Sequence, residues 1–337
     1  MTVLVTGANG FLGKRVVQAF LARDVKVRAM VRPATSVERL NWPEELEVVR
    51  IDLRSGDGLD AALDDVDVVV HLAACVAGDD EERFASTVVG TERLLAAMER
   101  RGTKRMVLAS TFSVYDWHAI HGLLDEESPL ESHLYERDGY AIAKSWQEKI
   151  VRRAASRNGW DLRVLRPGFI WGDGNTDLAG VGERFGSLQL VFGLPNRRMP
   201  LTHVDNCADC FATVTLDPRS AGETFNVVDD AGVSAWRYSG DFLEGTGRNA
   251  FRIMVPYWSA YALTWIARSV SRLVFRGRGK LPSILVPCRF EARFKPCRFT
   301  NHKLREKIGW TPPSNYSECL DRTFSTLPKP ENGALGT

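Results

Sequence analysis

The sequence predicts an α/β fold in which a doubly wound parallel sheet carries a smaller, interwoven C-terminal domain. Three observations predict it: short apolar strands alternate with helical segments as far as Pro167, a glycine-rich loop separates the first strand from the first helix, and the alternation becomes irregular beyond Pro167. Apolar strands that alternate with helices are typical of parallel sheets, because each crossover connection lays a helix over one face.

The strands are predicted from short β-branched and apolar runs, and the helices from the amphipathic segments between them. We expect strands at 2–6, 25–31, 46–51, 66–72, 104–110, 161–167 and 223–228. Helices are expected from the glycine loop to about residue 23, at 57–64 and 80–101, from residue 140 onward, and within 202–216. This pattern assigns 1–167 to a nucleotide-binding Rossmann domain to which 201–228 returns, 168–200 and 229–326 to a substrate-binding domain, and 327–337 to a flexible tail.

Composition limits the classes of protein to consider. The chain has 337 residues, of which 44% are hydrophobic and 26% are charged, as in globular proteins with a full core. Its six cysteines are scattered, and no charged-then-apolar leader is expected before Val3. Reduced thiols and a cytoplasmic location are therefore predicted. Cys207 and Cys210 lie within a predicted helix without a second close pair, so no metal site is expected.

The glycine loop is the first candidate functional site. Gly7, Gly10 and Gly13 follow a strand and open a helix, in a G-x-x-G-x-x-G spacing. Glycines there let the turn close and let the backbone approach a pyrophosphate, while the helix N-terminus offers free N–H groups. The loop predicts a dinucleotide site whose cofactor-binding residues are Gly7, Asn9, Gly10, Phe11, Leu12 and Gly13.

The tip of the second strand indicates which dinucleotide binds. An NAD site typically places Asp or Glu there, on the ribose 2′-hydroxyl. This chain has no acid at the tip and has Arg32 just beyond it, with Arg39 a few residues later. A guanidinium matches a 2′-phosphate, so NADP is predicted, with NAD as the alternative.

Two further strand ends are predicted to line the adenosine half of the site. Asp52 and Leu53 follow the third strand and are expected at the edge of the adenine. The fourth strand ends at His71, a residue expected to be hydrogen-bonded at the strand end rather than catalytic. The residues after it are expected along the ribose: Leu72, Ala73 and Ala74.

Tyr140 and Lys144 are the second candidate functional feature. A spacing of four stacks the two side chains on one helical face. An ammonium beside a phenol stabilises the phenolate and lowers the pKa of the tyrosine. The pair indicates acid–base chemistry, with an ordinary surface pair as the alternative.

The late part of the chain is strongly basic. Net charge is +2, yet residues 251–310 hold 13 Lys and Arg against two Asp and Glu. Such a segment indicates an anionic partner or a solvated basic face. Within it, residues 253–267 are uncharged and meet Arg268, Arg272 and Arg276. We expect a helix that caps the substrate pocket or serves a dimer contact, with peripheral membrane contact as the alternative and no spanning segment.

Together these motifs resemble the extended short-chain dehydrogenase/reductase family, the NAD(P)-dependent epimerases and dehydratases. The matching stretches are TGANGFLG (6–13), DL (52–53), HLAA (71–74), GT (90–91), LASTFSVYD (108–116), YAIAK (140–144), LRPGFIWG (165–172), HVDN (203–206) and LREKIGWTPP (304–313). The stretch VRAMVRP resembles the dihydroflavonol-reductase and 3β-hydroxysteroid-dehydrogenase branch. The resemblance covers nearly the whole chain.

The resemblance implies roles for individual residues. Tyr140 is the general acid/base, and Lys144 binds the nicotinamide ribose while lowering the pKa of the tyrosine. The active-site hydroxyl of the family corresponds to Thr111, with Ser110 and Ser113 as nearby alternatives. The resemblance further implies cofactor contacts at Pro167, Gly168 and Phe169 and substrate contacts at Ser113, Phe169 and Trp171.

The implied activity is that of an oxidoreductase, a ketoreductase that interconverts a ketone and a secondary alcohol on a small apolar or polycyclic metabolite. The alternative is a nucleotide-sugar epimerase or dehydratase with tightly bound NAD. Nucleotide-sugar enzymes of the family commonly have Asn at the position of Phe169 and Arg at the position of Met199, so these two departures weaken the alternative. Thr87 occupies a position where family members often have an Asn that takes part in a proton relay. A small-molecule substrate is expected, nucleic acid is not, and a homodimer through helices near 80–101 and 140–157 is expected by analogy with the fold.

Overall fold

The computed structural model describes residues 1–75, 78–275 and 281–325. Its strands are β1 (Thr2–Thr6), β2 (Lys26–Val31), β3 (Glu47–Arg50), β4 (Val68–His71), β5 (Arg105–Ala109), β6 (Leu123–Leu124), β7 (Asp161–Pro167), β8 (Phe169–Trp171), β9 (Gly182–Phe185), β10 (Leu188–Phe192), β11 (Leu201–His203), β12 (Thr224–Val227), β13 (Phe251–Val255) and β14 (Arg298–Phe299).

The helices lie between and after these strands. They are α1 (Phe11–Leu21), α2 (Leu59–Ala62), α3 (Asp80–Phe84), α4 (Gly90–Arg101), α5 (Gly139–Asn158), α6 (Val204–Leu216), α7 (Ala235–Thr246), α8 (Tyr257–Phe275), α9 (Pro287–Phe294), α10 (His302–Ile308) and α11 (Tyr316–Phe324). A π-helical turn, Ala85–Val89, joins α3 to α4, and short 3₁₀ turns occupy Glu38–Leu40, Phe112–Val114, Leu134–Glu136, Pro218–Ser220 and Ser283–Leu285.

A seven-stranded sheet forms the centre, in the order β12-β7-β5-β4-β1-β2-β3. Every neighbouring pair in it is parallel. This arrangement confirms the predicted fold class. The strand order reverses direction between β1 and β4, and ligands of such sheets bind at the carboxyl ends of the strands that flank this point.

Alternate residues of β1 show how the sheet is covered on both faces. Val3 and Val5 pack in one cluster with Phe20 of α1 and Phe211 of α6. Leu4, between them in sequence, packs in another cluster with Leu94 of α4. Successive side chains of a strand point to opposite faces, so the apolar run of β1 is buried by a helical layer on each side.

Three smaller sheets lie in the second half and around the long loops, in the orders β13-β10-β9, β11-β8 and β14-β6. Residues 201–228 lie with the central sheet, because β12 pairs with β7 and α6 packs against α1. The division into domains at the boundaries given above stays a prediction.

The structure corrects the element expected at 253–267. Residues 251–255 form β13, which pairs with β10, and α8 begins only after Pro256 and continues to Phe275. Pro256 lacks an N–H group, so it ends the strand and suits the entry to a helix. Arg276 and the predicted tail at 327–337 lie outside the described residues. Across the described ranges, no helix has the length and apolarity needed to cross a bilayer.

Candidate active site

The glycine loop forms a tight turn between β1 and α1. Gly7 has φ +66°, and a Cβ there would lie 3.0 Å from the backbone of Ala73. A Cβ at Gly13 would lie 2.1 Å from the carbonyl oxygen of Gly7, so a side chain at that position would push the helix away from the turn. Helix α1 begins after Gly10 without a side-chain cap and without an acidic residue in its first turn. Its N–H groups are therefore available to a phosphate.

A cleft of about 440 Å³ opens beside this loop. Its lining includes nine of the residues predicted to bind the cofactor, namely Gly7, Asn9, Gly10, Arg32, Asp52, Leu53, Leu72, Ala73 and Ala74. The bare helix terminus, the close-packed glycines and the adjacent strand ends fit a dinucleotide. The cleft lining does not include the other predicted cofactor residues, which are Phe11, Leu12, Gly13, Arg39, Lys144, Pro167, Gly168 and Phe169. Cofactor binding by the residues of both groups stays a prediction.

Charged groups gather at the far end of the cleft. Arg32 is exposed at the end of β2. Asp52 accepts from Arg54, whose Nη2 lies 2.7 Å from Oδ2. Hydrogen bonding from Arg54, with a smaller contribution from the charge of Arg32, lowers the pKa of Asp52. Sequence analysis did not assign Arg54, although a basic residue directly after the Asp-Leu pair was the available signal.

The tyrosine and lysine lie at the start of α5, beside the end of β5. Asp138 caps the helix by accepting from the N–H of Ala141 at 2.9 Å. Thr111 follows β5, and its hydroxyl lies close enough to the Tyr140 phenol to oppose the rise in its pKa. Two of the three predicted catalytic side chains are thus near each other at the carboxyl edge of the sheet.

The serines flanking Thr111 have different partners. The Ser110 hydroxyl is buried and donates to a carboxylate oxygen of Glu148. Ser113 lies 3.4 Å from Thr111, hydroxyl to hydroxyl, and its N–H donates to Thr111 Oγ1. Of the three candidate hydroxyls, Thr111 is the one that acts on the pKa of the phenol.

The pKa values differ from the expectation that Lys144 lowers that of the tyrosine. Burial raises the pKa of Tyr140 to about 12, opposed by the hydrogen bond with Thr111 and reinforced by the charge of Asp138. Burial lowers the pKa of Lys144 to about 8, opposed by the charge of Glu148. The expected lowering is not seen, because burial is the largest effect on the pKa of Tyr140 and Lys144 is not among its causes. The ammonium of Lys144 donates instead to the Ala109 carbonyl and to Gln147.

Gln147 connects Lys144 to a buried polar cluster. Its Oε1 accepts from Lys144, while its Nε2 lies 3.1 Å from His71 Nε2 and 2.9 Å from Thr91 Oγ1. The other nitrogen of His71 shares a 2.7 Å hydrogen bond with Thr6 Oγ1. Burial, together with the charge of Lys144, lowers the pKa of His71 to about 3 and keeps its ring neutral. Sequence analysis missed Gln147, whose signal was an amide three residues after Lys144.

A buried ion pair fixes α5 against β7. Glu148 and Arg166 are each about 3% exposed and pair directly. Burial alone would raise the pKa of Glu148, but hydrogen bonding and charge from Arg166, with Arg152 and Ser110, lower it to about 2. Arg166 also donates to the Tyr115 hydroxyl at 3.1 Å. This pair holds the helix that carries Tyr140 and Lys144.

The side chains predicted to contact substrate lie in contrasting environments. Trp171 is completely buried, in edge contact with His203 and Tyr238. A substrate contact through Trp171 stays a prediction, and its burial argues against it. The ring of Phe169 covers Gly180, where an added Cβ would lie 2.4 Å from it. Thr87 is buried and accepts from the N–H of Cys75 at 3.0 Å.

A second cavity, of about 930 Å³, lies in the later part of the chain. Its lining is mostly apolar and comes from β9, β10, α8 and α9, including Phe192, Leu263 and Phe290. Arg289 of α9 donates from Nε and Nη2 to the carbonyls of Glu136 and Arg137, both at 2.9 Å. Helix α9 therefore ties this cavity to the loop that leads into Tyr140.

Comparisons with known proteins agree with this geometry. The model of the NAD dependent epimerase/dehydratase family matches residues 3–227. The chain is 28% identical to a 3β-hydroxysteroid dehydrogenase/Δ5→4-isomerase of Mycobacterium tuberculosis, over 98% of this chain and 93% of that protein. It is 26% identical to the 4-hydroxy-2-methyl-3-oxo-4-farnesyl-3,4-dihydroquinoline-1-oxide ketoreductase of Stigmatella aurantiaca, over 95% of each chain.

Solved structures share the fold. UDP-glucuronic acid 4-epimerase from Bacillus cereus superposes with a TM-score of 0.72 at 19% identity, over 96% of this chain and 98% of that one. The match of the family model over more than half of the sequence, on the sheet and loop described above, shows that this chain belongs to the NAD dependent epimerase/dehydratase family.

Proposed function

We propose that the protein is an NADP-dependent oxidoreductase that interconverts a ketone and a secondary alcohol on a small apolar metabolite. The observation that carries this proposal is the placement of Thr111 close to Tyr140 at the carboxyl edge of the sheet, with Lys144 one helical turn beyond the tyrosine.

The two hydroxyls orient a carbonyl group. Thr111 and Tyr140 donate to the carbonyl oxygen, and Tyr140 gives its proton to the alkoxide that forms on reduction. A bound nicotinamide supplies the hydride for reduction and accepts it in the opposite direction. A phenol with a pKa of about 12 is protonated at neutral pH, so it is ready to act as the acid in the reducing direction.

Lys144 is proposed to act through the nicotinamide ribose that the family resemblance assigns to it. Its side chain is 3% exposed and lies one helical turn beyond Tyr140. The pKa of Tyr140 shows no lowering by the charge of Lys144, so the proposed part of the ammonium in proton transfer is to hold the ribose of a bound cofactor beside the phenol. Its pKa of about 8 means that the lysine is mostly charged at neutral pH and loses that charge in mild base.

The cofactor assignment rests on Arg32. Its guanidinium lies at the cleft, where no acidic side chain at the end of β2 is available for a ribose 2′-hydroxyl. Asp52 also lies there, but it is engaged by Arg54. Arg32 therefore suits a 2′-phosphate.

Two observations support an apolar substrate. The second cavity is lined mostly by apolar side chains, and the chain is similar to enzymes named for a hydroxysteroid and for a farnesylated ketone. Arg197, which stands near the position where nucleotide-sugar enzymes carry an arginine, is buried and donates to the carbonyls of Phe192 and Gly180 at 2.7 and 2.6 Å. Its hydrogen bonds to the backbone leave it poorly placed for a sugar diphosphate.

The alternative function is that of an epimerase or dehydratase that retains NAD. The description of the family, NAD dependent epimerase/dehydratase, favours this alternative. Two measurements separate the activities. The purified protein is denatured and its released dinucleotide is identified by mass spectrometry, and NADPH consumption is then followed with a panel of cyclic and polycyclic ketones. We expect little retained dinucleotide and consumption of NADPH with at least one ketone. Stoichiometric NAD, with no ketone reduced, would establish the alternative instead.

A further inference from the structure

Helix α8 has its apolar side facing outward. Leu273, Val274 and Ile266 are 83%, 66% and 59% exposed, whereas Thr264 and Ser271, which face the protein, are 1% and 7% exposed. A surface helix of a globular protein normally buries its apolar stripe and exposes its polar residues. This helix is arranged the other way round.

The apolar surface is wide and carries tryptophan. Trp258 and Trp265 are 69% and 44% exposed on the same helix, and Leu263 and Val270 are also exposed. Leu263 and Ile266 line the second cavity together with Phe185 of β9. The apolar face therefore continues from the helix into the cavity. Exposed apolar surface of this extent marks an interaction site.

The positive charge on and after α8 helps to decide whether its apolar face binds a second copy of the protein or a lipid surface. Helix α8 contains Arg268 and Arg272 and no Asp or Glu, and Arg268 is paired with Glu136. The sequence directly after the helix adds Arg276, Arg278 and Lys280. Arg272 is exposed on α8 itself. Two copies of this face brought together would oppose cation to cation, which disfavours self-association. A surface of anionic lipid headgroups attracts the same cations and takes up the apolar side chains.

We propose that the outer face of α8 docks the protein on an anionic membrane surface. The helix has 19 residues and is about 28 Å long at 1.5 Å per residue. It lies in the plane of the interface, with Leu273, Val274 and Ile266 among the acyl chains. The tryptophans lie at the level of the headgroups, where their amphipathic rings are favoured. The apolar cavity beside the helix then opens toward the lipid.

Vesicle flotation of the full chain tests the proposal. The wild type is mixed with vesicles of phosphatidylcholine alone or of phosphatidylcholine with phosphatidylglycerol, at low and high salt. We expect it to float with the anionic vesicles and to be released at least in part by salt, because attraction between exposed charges is screened. Binding to the neutral vesicles is expected to be at least tenfold weaker.

Two variants separate the apolar and charged contributions. The double variant Val270→Gln/Leu273→Gln alters side chains outside the cavity lining without adding charge and is expected to lower partition into anionic vesicles more than tenfold. Arg272→Glu is expected to lower it about tenfold or more on anionic vesicles and little on neutral ones, since each basic residue near such a surface contributes roughly fivefold. Matched controls are Leu130→Gln and Arg153→Glu, at exposed positions outside α8. Circular dichroism verifies that each variant is folded.

The outcomes are distinct. Absence of wild-type flotation, or equal flotation of the double variant and the wild type, would overturn the proposal. A wild-type dimer that the double variant converts to a monomer, without vesicle binding, would also overturn it and would identify the face as an interface between copies. These results are independent of the ketone reductase assay, because they need neither dinucleotide nor substrate.

Discussion

Replacement of Gln147 by leucine is expected to lower the pKa of Lys144. The change removes an oxygen that accepts from the buried ammonium and leaves the Ala109 carbonyl as the other described acceptor. A hydrogen bond to a charged group contributes about 1.5–3 kcal/mol, and about 1.4 kcal/mol corresponds to one pKa unit. From a value of about 8, the pKa of Lys144 should fall by about one to two units.

The pH profile of kcat/KM for ketone reduction measures this shift. If charged Lys144 supports proton transfer from Tyr140, activity falls as the pH rises through the pKa of Lys144. In Gln147→Leu this fall should begin about one to two pH units lower than in the wild type. Gln147→Glu keeps an acceptor oxygen and adds a negative charge, so the fall should move to higher pH.

A merely structural role for Gln147 would have a different signature. It would lower activity by a similar factor at every pH, and both variants would lose stability without opposite shifts. Gln18→Leu, at an exposed position on α1, serves as the control and should leave the profile unchanged. If kcat/KM falls at the same pH in the wild type, Gln147→Leu and Gln147→Glu, the proposed link between Gln147 and the pKa of Lys144 is wrong.

Two further predictions concern the cofactor and the ion pair beneath α5. Arg32→Asp should lower kcat/KM with NADPH about 10- to 100-fold, the equivalent of about 1.5–3 kcal/mol, and shift the preference toward NADH. Glu148→Gln should lower the free energy of unfolding by about 3–5 kcal/mol at neutral pH in urea titrations, because it leaves buried Arg166 unpaired. The native pKa of Glu148 is depressed to about 2, so its stabilisation is present above 4.5 and is lost as the pH falls from 4.5 toward 2, a loss that the variant should not show.

Controls for these two predictions lie elsewhere in the chain. Arg39→Asp changes an exposed arginine outside the described cleft lining and should alter the cofactor preference less than Arg32→Asp. An unchanged NADPH/NADH ratio in Arg32→Asp would contradict the assignment of Arg32. Glu99→Gln breaks an exposed pair with Arg157 and should cost less than about 1 kcal/mol. If Glu99→Gln and Glu148→Gln lower the free energy of unfolding equally, burial does not make the Glu148–Arg166 pair more important for stability than an exposed pair.

The sequence pattern correctly predicted the strands and helices whose formation depends on residues close to one another in the chain. The strand that precedes Gly7, the helix that begins after Gly10 and the capped helix carrying Tyr140 and Lys144 all depend on residues close in sequence. The fold class followed, because alternating strands and helices admit few arrangements.

Features that depend on distant contacts were not predicted. Lys144 reaches Ala109, 35 residues away, and Gln147 reaches His71, 76 residues away. Sequence spacing does not reveal these partners, nor the burial that raises the pKa of Tyr140 where a lowering was expected. Sequence analysis left open whether the apolar residues of 253–267 cover the substrate pocket, a dimer contact or a membrane surface, because a run of apolar residues does not reveal which side the protein covers.

The most direct test of the central claim compares Tyr140→Phe with the wild type. The dissociation constant for NADP is measured by calorimetry, and kcat is measured with the ketone found in the substrate panel. The account predicts that NADP affinity stays within about twofold while kcat falls by about 10²–10⁴, the range typical of a lost general acid. A kcat close to that of the wild type, with NADP still bound, would contradict the assignment of Tyr140 as the proton donor.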